Sequence, residues 1–279
     1  MTRMDRAQSW DAGQFTPVRP LMMVEVLDAA YRLFRAGIFR CLPYSALAVL
    51  VLELPTLYST FLPSPGRAAF TIPYARQIGP FVILLLGVLL LGVITLRLHA
   101  ISQGMRPRFR RELGVALKRL PGAFVTTLLM SCYPAVSLFV FTLLDGAGLP
   151  PEALLFAAVP LLWPVVLFVL VLPAFWCDGL GPFASIAQSV RLSFRRSWRL
   201  VGAMLTTAVM LMAFNLLPVT IAAMMSPLFG RPDLFLIATL ASIFYLVIGA
   251  FGVPFVLAVL IVAYQDLKFR DQARREARP

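Results

Sequence analysis

Apolar residues in this chain form long continuous runs, and charged residues are concentrated in the short stretches between them. About 20 mostly apolar helical residues cross a hydrocarbon core of roughly 30 Å. Continuous runs favour helices over barrel strands, because every backbone group in lipid must be hydrogen-bonded within its own segment. Six windows qualify as spans, at residues 41–61, 80–96, 122–144, 151–177, 200–225 and 234–264.

A basic, amphipathic stretch precedes the first, third and fifth of these windows, at residues 24–39, 109–124 and 183–198. Each stretch has an apolar i, i+3, i+4 stripe with Arg or Lys on the other side, which is typical of a helix lying in the headgroup plane. The alternative is an ordinary basic cytoplasmic loop. The predicted fold class is all-α integral membrane, with six transmembrane helices and basic interfacial helices before spans 1, 3 and 5.

The same order of elements occurs three times: an in-plane helix, a span, a short outer loop and a returning span. The repeat units cover about 21–100, 105–177 and 181–266 within a membrane domain at 21–266. A cytoplasmic tail at 1–20 precedes this domain, and a basic tail at 267–279 follows it. Parallel repeats of helix hairpins predict a pseudo-threefold bundle.

Composition supports lipid as the solvent, since 60% of the residues are hydrophobic, 14% are charged and the mean hydropathy is +0.85. Of the 25 basic residues, 22 fall on one side of the predicted topology. Because loops rich in Lys and Arg stay cytoplasmic, both termini are expected in the cytoplasm of a bacterial-type inner membrane. The first 20 residues have no apolar signal-peptide core, so the first span is expected to direct insertion.

The net charge of +12 does not require nucleic acid, because the basic residues sit beside the membrane ends, where anionic lipid attracts them. No interleaved aromatic and basic face for nucleic acid is present. The expected partners are therefore anionic membrane lipids, and also a membrane protein or a second copy of the chain. Candidate headgroup contacts are Arg32, Arg35, Arg110, Arg111, Lys118, Arg119, Arg191, Arg195 and Arg196.

Four acids lie within this basic belt: Glu25, Asp28, Asp178 and Asp266. Pairing with nearby cations would tie the amphipathic stretches to the bundle, although an exposed ion pair contributes only about 0 to 1 kcal/mol. These acids are therefore interpreted as structural. The candidate cations are Arg32, Arg191, Arg195 and Lys268.

Glu53 is the candidate functional residue inside a span, because it lies near the middle of the first window and is followed by Pro55. A charge there costs about 2.5 to 3.5 kcal/mol on insertion scales, so such residues face protein or water. One interpretation is an ion- or proton-coupled site beside a helix loosened by proline. The other is a structural contact with a polar side chain on a neighbouring helix. The candidate partners are Thr126, Ser131, Tyr133 and Asn215.

Candidate catalytic chemistry is sparse, since the chain has one histidine, His99, and none of the common hydrolase, metalloprotease or P-loop motifs. His99 could titrate or bind a lipid phosphate, but it fits better as an interfacial side chain. The three cysteines, Cys41, Cys132 and Cys177, have no metal-ligand spacing and are expected to be reduced thiols. No catalytic residue, metal site or cofactor is predicted.

Three segments resemble a known family: FTPVRPLMMVEVLDAAYRLFRAGIF, DGLGPFASIAQSVRLSFRRSWRLVGAML and VAYQDLKFRDQAR. They are similar to the bacterial membrane-domain superfamily found with glycerophosphoryl diester phosphodiesterases and in YciC-like inner-membrane proteins. The resemblance implies a multi-span helical membrane domain. It does not imply phosphodiester hydrolysis, which in that family belongs to a separate soluble barrel.

Three function classes remain open. The first is a non-enzymatic scaffold or assembly factor whose basic inner face binds anionic lipid or a membrane partner. The second is a secondary transporter or channel with Glu53 in its pathway. The third is a lipid-modifying enzyme, for which the sequence offers no cluster of acids at the interface.

Overall fold

Helices account for the regular structure of the described residues, which are 19–61, 75–146, 167–194, 197–225 and 234–276 of a computed structural model. No strand occurs among them. The long apolar runs form helices because only an internally hydrogen-bonded backbone can sit in lipid. The helices are α1 (Met23–Phe61), α2 (Ala75–Ser102), α3 (Phe109–Gly146), α4 (Val171–Asp178), α5 (Pro182–Phe194), α6 (Ser197–Met225) and α7 (Leu234–Glu276).

Four of these helices, α1, α2, α3 and α7, are long and apolar enough to cross a membrane. Helix α6 contains a shorter apolar stretch, Leu200–Ala213. The predicted fourth window lies mostly at residues 147–166, outside the described residues. The all-helical prediction is confirmed for the described part of the chain, whereas the count of six spans and the threefold repeat stay predictions.

The first two amphipathic stretches are not separate helices, contrary to the prediction. Residues 24–39 belong to α1, and residues 109–124 belong to α3. Each helix continues through the proline at the junction, Pro43 in α1 and Pro121 in α3. With 39 residues, α1 is about 58 Å long, nearly twice the thickness of a hydrocarbon core. Each stretch and the span that follows it therefore form one continuous helix.

The apolar stripe of α1 is buried in the protein. Ala30 and Leu33 are fully buried and belong to one core cluster with Ile261 and Tyr264 of α7. Helix α1 packs most extensively against α7 and next against α2. The i, i+3, i+4 pattern thus marks a helix–helix interface here, because packing against α7 removes the stripe from both water and lipid.

The third amphipathic stretch does form its own helix, α5, and its exposed and buried faces are unusual. Its buried residues are mainly serines, including Ser185 and Ser189, and the Ser189 hydroxyl donates to the Leu167 carbonyl at 2.6 Å. Phe183 and Phe194 are exposed. A helix that turns small polar residues inward and aromatic residues outward suits a membrane interface better than water.

Small residues let the helices approach closely around α2. The indole of Trp176 lies against Gly92, where an added Cβ would be 2.5 Å from the ring. Gly37 of α1 meets Leu98 in the same way. Close contact through glycine is a common way for helices to pack in lipid.

Candidate functional site at the basic end of the bundle

Long-range polar contacts place the basic helix ends at one end of the bundle. The Leu21 backbone N–H donates to Asp266 Oδ1 at 2.9 Å. Arg97, near the end of α2, donates to the Arg40 carbonyl of α1 at 2.6 Å. Lys268 of α7 reaches Asp178 at the end of α4. The term basic end is used below for residues 19–40, 97–119, 178–194 and 264–276.

A buried ion pair joins three helices there. Arg97 Nε lies 2.9 Å from Glu112 Oε2, and the side chains are only 9% and 7% exposed. The Arg97 guanidinium also lies 4.7 Å from the ring centroid of Tyr44, in a cation–π contact. Since a buried charge needs a partner, the pair holds α1, α2 and α3 in one arrangement.

Tyr264 is the centre of a second polar cluster. Its hydroxyl donates to Asp178 Oδ2 at 2.6 Å and accepts from Gln188 Nε2 at 3.0 Å. Lys268 Nζ donates to the same Asp178 oxygen at 2.7 Å. Because the Tyr264 ring is buried, this hydroxyl is expected to need its partners. The cluster joins α4, α5 and α7.

A third cluster attaches the chain before α1 to the end of α7. Asp266 accepts from Arg270 Nε at 2.8 Å, and the Arg270 guanidinium donates to the Leu21 carbonyl. Glu25 accepts from the Met22 N–H at 2.7 Å and pairs with Arg19 at 2.5 Å. Both termini of the described chain are therefore anchored in the basic end.

All four acids predicted as structural form ion pairs. Asp28 lies 2.9 Å from Arg32, and Asp178 lies 2.7 Å from Lys268. Glu25 and Asp266 pair with Arg19 and Arg270, which were not among the candidate cations. All four carboxylates are thus paired with cations of the same chain.

The nine candidate headgroup contacts divide into three groups. Arg32, Arg119 and Arg191 are engaged: Arg32 with Asp28, Arg119 with the Trp176 carbonyl at 3.1 Å, and Arg191 with Asp271 at 3.3 Å. Arg195 and Arg196 lie outside the described residues. Four are exposed and have no acid partner in the described part of the chain: Arg35, Arg110, Arg111 and Lys118.

No family model, curated protein or solved structure matches this chain. The resemblance to the phosphodiesterase-associated membrane domains therefore stays a prediction. Tyr264, Asp266 and Lys268, which lie in one of the segments that carry it, are all engaged in the polar clusters of the basic end.

Glu53 is half-buried on α1 and makes no hydrogen bond or ion pair to another described residue. The hydroxyls of Thr126 and Ser131 donate to carbonyls of their own helix, α3. The side chain of Asn215 is not among those that the structure describes. Two apolar cavities open in the bundle. One, of about 140 Å³, is lined by α1, α2, α3 and α4, and the other, of about 290 Å³, by α2, α6 and α7. Glu53 lines neither cavity.

His99 and the three cysteines do not form a metal-binding group with other described residues. The Nδ1 atom of His99 is buried and has no partner in the described part of the chain. Cys41, Cys132 and Cys177 are free thiols. Within the described ranges no three His, Cys, Asp or Glu side chains are grouped as metal ligands. The arrangement at the basic end is suited to binding anions through its unpaired cations.

Sequence reasoning missed the Arg97–Glu112 pair and the role of Tyr264. Arg97 was fully explained as a positive charge beside a span, so nothing required an acid partner. Tyr264 entered only as part of the segment VAYQDLKFRDQAR, which carries the family resemblance. The Arg97–Glu112 pair could have been predicted, because Glu112 is a single acid in a basic stretch that is one short loop away from Arg97.

Proposed function

We propose that this protein is a non-enzymatic scaffold or assembly factor of a bacterial-type inner membrane, with both termini in the cytoplasm. Its basic end binds anionic lipid or a membrane partner. The observation that carries the proposal is that acids at the basic end are paired within the protein, whereas several cations there are not. Four acids, Glu25, Asp28, Asp178 and Asp266, are occupied by internal pairs. Four cations, Arg35, Arg110, Arg111 and Lys118, remain exposed without acid partners in the described structure.

Electrostatics supports an anionic partner for these cations. A basic residue next to an anionic leaflet gains about 1 kcal/mol, and the gain falls off within a Debye length. Helix α5 contributes a second kind of contact, because Phe183 and Phe194 are exposed at the same end of the bundle. Basic and aromatic groups together favour a membrane surface or a membrane-embedded partner over a soluble ligand.

Transport through the Glu53 region is the second candidate. The observation in its favour is that the half-buried carboxylate of Glu53 has no described partner. An acid inside a span is by default a hypothesis for a functional site, because a charge there is costly to insert. Glu53 lines neither apolar cavity, so the cavities do not support a polar path through the bundle past Glu53.

The proposal can be tested by photocrosslinking from two exposed phenylalanines, one at the basic end and one far from it. Phe39 of α1 is 86% exposed near Arg35 and Arg40, and Phe139 lies far along α3 and is 63% exposed. Each is replaced by a photoreactive phenylalanine analogue in cells. We expect anionic phospholipid or one defined membrane protein to be captured at Phe39 and not at Phe139. Capture of such a partner only at Phe139 would contradict the proposal.

A further inference from the structure

The loop between α2 and α3 carries the densest group of cations among the described residues. The arginine loop is defined here as Gly104–Arg111, and it includes the first residues of α3. It contains no acid, and each of its arginines is exposed without an acid partner in the described structure. These arginines are Arg106, Arg108, Arg110 and Arg111.

Backbone hydrogen bonds fix both sides of this loop. Gly104 has φ of +69°, and its N–H donates to the Ile101 carbonyl at 2.9 Å. The Met105 N–H donates to the Ala100 carbonyl at 2.8 Å, which completes a Schellman cap on α2. On the other side, the Arg108 carbonyl accepts the first hydrogen bonds of α3. The four guanidiniums are thus carried on a short, ordered turn.

The nearest acid in sequence does not neutralise this group. Glu112 follows Arg111 directly, but its carboxylate is buried and paired with Arg97 at 2.9 Å. The positive charge of the loop therefore remains uncompensated at the surface. Guanidinium groups bind phosphate oxygens in a bidentate way, so phosphate is the chemistry that fits best.

Apolar side chains alternate with the arginines. Met105 is 50% exposed and Phe109 is 41% exposed. The Phe109 ring stacks on Tyr44, with centroids 5.2 Å apart, so part of the ring is held while the rest faces outward. A segment that presents both phosphate-binding and apolar groups matches the boundary between lipid headgroups and acyl chains. A free phosphate or a soluble acidic peptide would leave Met105 and Phe109 unused.

We propose that the arginine loop is the principal lipid contact of this protein. Its guanidiniums bind the phosphates of anionic phospholipid headgroups, while Met105 and Phe109 enter the headgroup boundary. This inference rests on the proposed function and names the part of the basic end that performs it.

The test is a lipid titration of the full-length purified protein in detergent, followed by native mass spectrometry. The probes are phosphatidylglycerol and phosphatidylcholine with the same acyl chains. The loop variant is R108Q/R110Q, and the control variant is R274Q/R275Q, which removes the same charge from the exposed end of α7. We expect the loop variant to bind phosphatidylglycerol at least about fivefold more weakly, the effect of roughly one surface basic residue. The control is expected to weaken binding less than the loop variant does, because Arg275 is already paired with Asp271 at 3.2 Å and the loop stays intact.

The outcomes separate the two proposals. Equal weakening in both variants, or no weakening in the loop variant, would overturn the assignment of the loop while leaving a lipid-binding scaffold in place. If the wild-type protein shows no preference for phosphatidylglycerol over phosphatidylcholine and the photocrosslinks capture no partner, the proposed function itself fails. Thermal unfolding of both variants ensures that only folded protein is compared.

Discussion

Arg97 and Glu112 face each other across the arginine loop as a buried ion pair, with Arg97 Nε 2.9 Å from Glu112 Oε2. The pair links the last turns of α2 to the first turn of α3. Because Glu112 is paired with Arg97, it does not neutralise the arginines of the loop. Those arginines therefore remain available to bind a ligand.

Removing one partner of this pair is expected to be costly. Glu112→Ala leaves Arg97 as an uncompensated buried charge, which destabilises a fold by about 3 to 5 kcal/mol. Thermal unfolding in detergent measures the effect. Asp28→Ala is the control, because its pair with Arg32 is exposed and contributes less than about 1 kcal/mol. Equal losses for the two variants would show that the Arg97–Glu112 pair is not desolvated as described.

Element types at the basic end were predictable, but the connections between them were not. The run at 80–96 predicted α2 because its hydropathy is unbroken, yet the helix extends to Ser102, past Arg97. The stripe at 24–39 was expected to face headgroups. It faces α7 instead, because amphipathicity reports that one side is shielded from water and does not identify what shields it.

Long-range pairs were the least predictable part of the site. Asp178 and Lys268 are 90 residues apart, and their contact depends on how α4 packs against α7. The sequence predicted one shared set of four candidate cations for the four acids. Geometry then selected Arg19 and Arg270, outside that set, because those side chains lie beside Glu25 and Asp266 in the folded chain.

Tyr264 offers a test of the second polar cluster. Tyr264→Phe removes the donor to Asp178 and the acceptor for Gln188, and a hydrogen bond to a charged group contributes about 1.5 to 3 kcal/mol. Tyr31→Phe is the matched control, since Tyr31 is exposed and should change stability by less than about 0.5 kcal/mol. The free energy of unfolding of both variants can be compared in one detergent. A neutral Tyr264→Phe variant would mean that water replaces the lost contacts.

Two helical glycines provide a test of packing around α2. Gly92→Ala places a methyl group 2.5 Å from the buried Trp176 ring and is expected to destabilise by about 1 to 3 kcal/mol. Gly114→Ala has open space around it and should stabilise α3 by about 0.5 to 1 kcal/mol. The two substitutions are chemically identical, so opposite shifts in melting temperature are predicted. Shifts of the same sign would argue against close contact of Trp176 with α2.

Glu53 distinguishes the scaffold from a transporter. Because no described group pairs with it, Glu53→Gln should leave expression, melting temperature and retained lipid unchanged in a scaffold. Removing the charge should also ease insertion of the first span, since a central acid costs about 2.5 to 3.5 kcal/mol. Loss of a transported flux from a folded variant would favour transport. Loss of expression would instead assign Glu53 a structural role.

The most direct measurement is native mass spectrometry of the protein extracted together with a patch of its own membrane, identifying each lipid and protein that stays bound. The predicted result is retained anionic phospholipid or a stoichiometric membrane partner, lost progressively at high salt because the contacts are electrostatic. A protein that emerges alone, or with only a small molecule, would contradict the scaffold and make transport near Glu53 the leading hypothesis.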